Sequence, residues 1–99
     1  MRLLLAPEAK LEFDAAKHYY EQQVPGLGAA FHEEIRSALQ RLRQWPLAFP
    51  VEQNDIRRLV LGRFPYKLLY SVEADCIYII AMAHQHRNPD YWVGRNEPS

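Results

Sequence analysis

The sequence predicts an α+β domain: a small, mostly antiparallel β-sheet packed against an N-terminal α-helical hairpin, in the order β-α-α-β-β-β with a short C-terminal helical turn. Three observations predict it. Apolar residues recur at helical spacing twice in the first half. The second half changes to strand-like alternation and ends in a long apolar run. The chain has 99 residues, 48% of them hydrophobic, which suits one domain over residues 1–99 with one small core.

The elements follow in order. Arg2 to Leu5 is a short apolar run that reads as a strand. Pro7 then starts a helix, where its missing N–H costs nothing, and Glu8 favours the positive end of the helix dipole. Ala9, Phe13, Ala16 and Tyr20 lie four, three and four apart, which is one helical face. Val24-Pro25-Gly26 stops that helix, and Leu27-Gly28 allows a tight reversal. Phe31, Ile35, Leu39 and Leu42 mark a second face, ended by Pro46. Residues 7–23 and 28–44 therefore form an antiparallel hairpin.

Trp45 to Pro50 is irregular, because two prolines four apart forbid a helix. It reads as a linker pinned to the core by Trp45 and Phe49. Residues 56–61 form a strand, and Gly62-Arg63 a turn or bulge. Tyr66 to Val72 alternates as a strand should. After a turn at Glu73-Ala74-Asp75, Cys76 to Ala83 is apolar throughout, as expected of a strand covered on both faces. Asn88 is placed to cap a final helical turn, and Arg95 to Ser99 to fray. The sheet face away from the hairpin is expected to be partly open. The loop after the last strand and the start of the 56–61 strand should border it.

Charge and cysteine content narrow the function classes. The chain carries 12 basic and 12 acidic residues, not the basic surplus usual in a nucleic-acid reader. Residues 1–56 hold six basic against eight acidic, and the remainder six against four. The lone Cys76 sits in an apolar run and reads as a buried structural thiol. The apolar start is too short for a signal peptide, and no run approaches a membrane span. A cytoplasmic protein is expected, with no membrane association.

The candidate site is the set Arg57, Arg58, Arg63, Lys67, His84, His86, Arg87 and Tyr91. Ribose-directed RNA cleavage needs a base, an acid, and cations around the phosphorane. Histidine supplies proton transfer near neutral pH, arginine holds phosphate oxygens, and Tyr91 can orient a proton or stack on a base. A plainer reading uses the same residues structurally: His84 ends a strand, Arg87 pairs with Asp90, and Tyr91 and Trp92 close the core. His84 and His86 lie two apart but lack a third ligand, so no metal is expected, and no cofactor. Glu33-Glu34 reads as a solvated helix face.

The stretch from Ile56 to Trp92 resembles the RelE/ParE superfamily of bacterial toxins. It has a basic strand, then Arg63-Phe64-Pro65-Tyr66 opening a strand, then a hydrophobic strand running into His84-x-x-Arg87-x-Pro89-x-Tyr91-Trp92. The order of elements is similar over most of the chain. The resemblance implies the toxin of a type II toxin–antitoxin pair, associated with plasmid stabilization and growth inhibition. One branch, ParE-like, poisons DNA gyrase and is not a nuclease. The other, RelE-like, cuts mRNA on the ribosome. On that second branch Arg57, Arg63 and Arg87 look like the basic residues of the nuclease site, and His84, His86 and Tyr91 like its acid–base end. The neutral charge and the long hairpin favour the gyrase branch. The ribonuclease is the alternative, and a non-toxic interaction module on the same fold is the third.

The expected partner is a cognate antitoxin, with oligomers formed only through that complex. Tyr19, Tyr20 and Trp45 supply more aromatic surface than a two-helix hairpin needs. The antitoxin is therefore expected to lie across hairpin and sheet, with its acidic groups reaching Arg57, Arg63 and Arg87.

Overall fold

The computed structural model describes residues 1–87 and 90–95. The chain begins with β1 (Arg2–Leu5), α1 (Pro7–Gln23) and α2 (Leu27–Gln44). Then come β2 (Val51–Gln53), β3 (Ile56–Val60), β4 (Tyr66–Val72) and β5 (Cys76–His84). The five strands form one sheet in the order β1-β5-β4-β3-β2. β1 runs parallel to β5, and every other pair is antiparallel. A parallel pair needs a long crossover. The helical hairpin and the three intervening strands supply it, so the first and last strands of the chain lie side by side.

The hairpin turns tightly because of three residues. Gly26 adopts φ 91°, a left-handed conformation that suits glycine. The Glu21 carboxylate accepts N–H bonds from Gly26 at 3.0 Å and from Gly28 at 3.0 Å, satisfying donors at the start of α2. Gly28 itself lies against α1, and a Cβ there would sit 2.8 Å from the Lys17 carbonyl oxygen. The two helical faces read from spacing are the ones buried. Ala9, Ala16, Phe31, Ile35 and Leu42 all lie in the main core. Phe31, Phe64, Tyr20 and Tyr66 stack there with centroids as close as 4.8 Å, between Tyr20 and Phe64.

Three expectations need correcting. The 45–50 linker is pinned by Phe49, which packs on the core, but Trp45 is 53% exposed. The pinning comes mainly from below. The Tyr70 hydroxyl donates to the Pro46 carbonyl at 2.7 Å, and the Arg57 guanidinium donates to the Phe49 carbonyl at 2.6 Å. A fifth strand, β2, was not expected. It is three residues long and turns into β3 through Asn54 at φ 53°, too short to carry a period. Tyr20 is not surplus surface but part of the aromatic core, whereas Tyr19 is 57% exposed.

β5 is buried almost throughout, as its composition implied, and the Cys76 thiol is buried and free. Its pairing with β4 slips by one residue: Leu69 faces Ala81 while Tyr70 faces Ile79. Ile80 is the extra residue of this β-bulge. The slip puts Ile80 and Ala81 together in a second cluster with Ile56, Leu69, Ala83 and Trp92. The sheet face away from the helices is therefore partly covered by the segment that follows β5. The expected cap at Asn88 and the end of the chain beyond Arg95 lie outside the described residues.

Candidate functional site

The end of β5 meets α1 at a cleft of about 290 Å³ lined by Glu12, Ala15, Ala16, Tyr19, Tyr66, His84 and Arg87. The pairing of Tyr66 with His84 across β4 and β5 puts both rings on the helix side of the sheet, edge to face at 5.1 Å. The two alanines of α1 leave room for the cleft. His84 Nδ1 accepts the backbone N–H of His86 at 3.1 Å, which closes the turn after the strand. His84 thus ends the strand, by accepting an N–H. His86 is exposed, and its ring lies 5.3 Å from that of His84.

The organising residue is Glu12. It follows Ala9 by three positions and precedes Ala16 by four, so it sits on the buried stripe of α1. Its Oε1 accepts the Met82 backbone N–H at 3.1 Å and Arg95 Nη1 at 3.0 Å. Arg87 Nη1 stands 3.8 Å from Oε2. Arg87 and Arg95 both lie over the Tyr91 ring, at 3.9 and 4.9 Å from its centroid, within cation–π range. The Tyr91 hydroxyl and Glu12 Oε2 are buried, and among the described residues neither completes a hydrogen bond of good geometry. Burial pushes the Tyr91 phenol well above its ordinary range; the Glu12 carboxylate adds to this, and the two arginines only partly oppose it. Tyr91 therefore holds its proton more tightly than an ordinary phenol.

The other expected site residues are dispersed. Arg57 is on the helix side of the sheet, bonded to the Leu47 and Phe49 carbonyls. Arg58 is on the opposite side and donates to the Val51 carbonyl at 2.8 Å. Lys67 pairs with Glu52 at 2.8 Å, and Arg58 lies 3.6 Å from the same carboxylate. Arg63 has its backbone N–H on Glu34, 3.1 Å away, and its guanidinium over the Phe64 ring at 5.7 Å. His84, Arg87, Tyr91 and Lys67 do converge, around a small recess of about 30 Å³. No group of three His, Cys, Asp or Glu able to hold a metal occurs among the described residues.

Glu12 and Arg95 escaped the sequence reading. Glu12 did carry a signal, a lone acid on an apolar helical stripe, where burial demands a partner. Arg95 carried none: it lies where the chain is expected to fray, yet its side chain is only 16% exposed and paired with Glu12.

What the arrangement can do chemically is limited by these contacts. Arg87 is open to a ligand, with its side chain 55% exposed at the cleft. Most of the others already serve a carbonyl or a carboxylate.

Residues 3–89 match the family described as the ParE toxin of the type II toxin–antitoxin system parDE. A solved structure described as the chromosomal ParDE TA system from P. aeruginosa has a similar fold, with a TM-score of 0.75. The two are 23% identical, and the alignment covers 85% of this chain and 95% of the other. At that identity the likeness is one of fold. No curated protein matches the chain.

Proposed function

We propose that this chain, which belongs to the ParE toxin family of type II toxin–antitoxin systems, arrests growth by acting on DNA gyrase and is neutralised by a cognate antitoxin. The observation that carries the choice of gyrase over RNA is where the cations go. Arg57, Arg58 and Lys67 are bonded to carbonyl or carboxylate oxygens of the chain itself. Arg87 is open at the cleft, but its Nη1 stands 3.8 Å from the Glu12 carboxylate, which offsets its charge. A ribonuclease needs such groups free to meet a phosphorane. Gyrase poisoning is recognition of a protein, which needs shape and a few anchors rather than proton transfer. The chain's zero formal net charge points the same way.

One observation favours the ribonuclease reading: His84 and Arg87 share the cleft beside α1. The antitoxin would lie across the hairpin and the sheet, where Leu11 and Tyr19 are exposed at 69% and 57%, and would be disordered when free. Cytoplasmic action follows from either target, and no described helix is long and apolar enough to cross a membrane.

Induced expression tests the proposal, with DNA supercoiling and transcript integrity read separately. We expect growth arrest, relieved by the antitoxin, with altered supercoiling and intact transcripts. Cleaved transcripts that vanish in His84→Ala and Arg87→Ala, each losing about 10²-fold, would establish the ribonuclease instead. Normal growth at high levels of folded protein would leave only a non-toxic interaction module.

A further inference from the structure

β1 is too short for its neighbour. It pairs with β5 only from Cys76 to Ile79, and the last bond is from the Ala6 N–H to the Ile79 carbonyl at 2.9 Å. The chain then turns into α1, while β5 continues to His84. Among the described residues, the edge of β5 away from β4 has no strand beside it from Ile80 to Ala83.

Two side chains fill that place. Glu12 Oε1 accepts the Met82 N–H at 3.1 Å, and Arg95 Nη1 donates to the Ile80 carbonyl at 3.3 Å. The two are joined to each other at 3.0 Å. In a parallel ladder, one residue accepts the N–H after its opposite number and donates to the C=O before it. Glu12 and Arg95 together present that same acceptor and donor opposite Ala81. Both side chains are mostly buried, at 14% and 16% exposure, so the pair is held rather than solvated.

We propose that the Glu12–Arg95 pair is a surrogate strand. It completes the half-edge of β5, fixes the register of the Tyr91–Arg95 segment on the second face, and closes that edge to strand addition by another copy of the chain. Unpaired edges invite such pairing. An apolar cavity of about 200 Å³ reaches Leu5, Phe13 and Met82 beside this edge, space that an incoming strand's side chain would use.

Three variants of the full chain separate these roles. Glu12→Ala removes the acceptor. The Met82 amide should exchange about tenfold faster, as for one lost hydrogen bond, while amides of α2 keep their rates. The protein should also self-associate at high concentration, as read by light scattering. Glu12→Gln keeps an acceptor for Met82 but weakens the hold on Arg95. Met82 protection should persist, while Trp92 becomes more accessible to a quencher in a Trp45→Phe background. Arg95→Ala should behave like Glu12→Gln. If Glu12→Ala leaves Met82 exchange unchanged, or speeds all amides equally, the surrogate strand is overturned. A Glu12→Ala protein that remains monomeric overturns the edge-closing role. Should Glu12→Ala fail to fold, unchanged Trp92 quenching in the other two variants overturns the proposal.

Discussion

The two faces of the sheet are built by different means. The helix-covered face is closed by mass. Phe31, Leu42, Leu68, Tyr70, Ile77 and Ile79 are all fully buried there, under two helices spanning 17 and 18 residues. The second face is closed by a short segment over a cluster that includes two alanines, Ala81 and Ala83, with Trp92 as its lid. That segment is keyed by charge: Arg87 and Arg95 straddle Tyr91, and Glu12 on α1 receives both. Hydrophobic burial is non-directional and tolerant of small shifts. A partly buried ion pair has a defined geometry and is costly to break from one side. One face should therefore resist substitution in proportion to volume removed, and the other in proportion to whether the key remains.

The largest effect should come from the first face. Phe31→Ala deletes a fully buried ring that contacts Phe13, Tyr20, Phe64 and Tyr66. Its neighbours are pinned by helix and sheet and cannot collapse into the space, so ~3–5 kcal/mol should be lost in urea unfolding. Trp92→Ala removes a still larger group from the second face but should cost only ~1–2 kcal/mol, because the short segment can move and water can enter. Equal losses in the two variants would abolish the distinction between the faces.

The same contrast explains what could be read in the sequence. The first face depends on periods of 3.6 and 2, and those are printed in the order of residues. Ala9, Phe13, Ala16, Phe31 and Ile35 announced it, and β4 and β5 fell within a residue of their expected bounds. The second face depends on a one-residue slip at Ile80 and on a contact between positions 12 and 95, neither of which has a local signature. The same holds for Arg57. As one of two adjacent arginines it reads as a phosphate ligand, yet the fold spends it on the carbonyls of a linker whose path no period describes. Motif resemblance located the chain among toxins, but motif position alone did not say which of its cations are free. β2 was missed for a simpler reason: three residues, Val51-Glu52-Gln53, are too few to alternate.

The smallest effect concerns a polar key on the first face. Glu21 joins α1 to α2 by accepting the Gly26 and Gly28 N–H groups, and those bonds hold its carboxyl below the ordinary 4.5. The group is exposed, so solvent screens it and the gain is modest. Its sign is defined all the same. A carboxyl depressed in the folded state binds its proton more weakly there than when unfolded. Its contribution is complete above pH 4.5 and disappears as pH falls through the lower folded value. Glu21→Gln keeps an oxygen able to accept one N–H but has no charge to lose. The wild type should therefore be the more stable protein at pH 7, and the gap between the two thermal midpoints should narrow steadily below pH 4.5. A gap that stays constant from pH 7 to pH 3 would mean that the carboxylate acts at the hairpin turn by shape alone. The helix-covered face would then contain no charge-dependent element at this turn, and its contrast with the Glu12-keyed face would be sharper still.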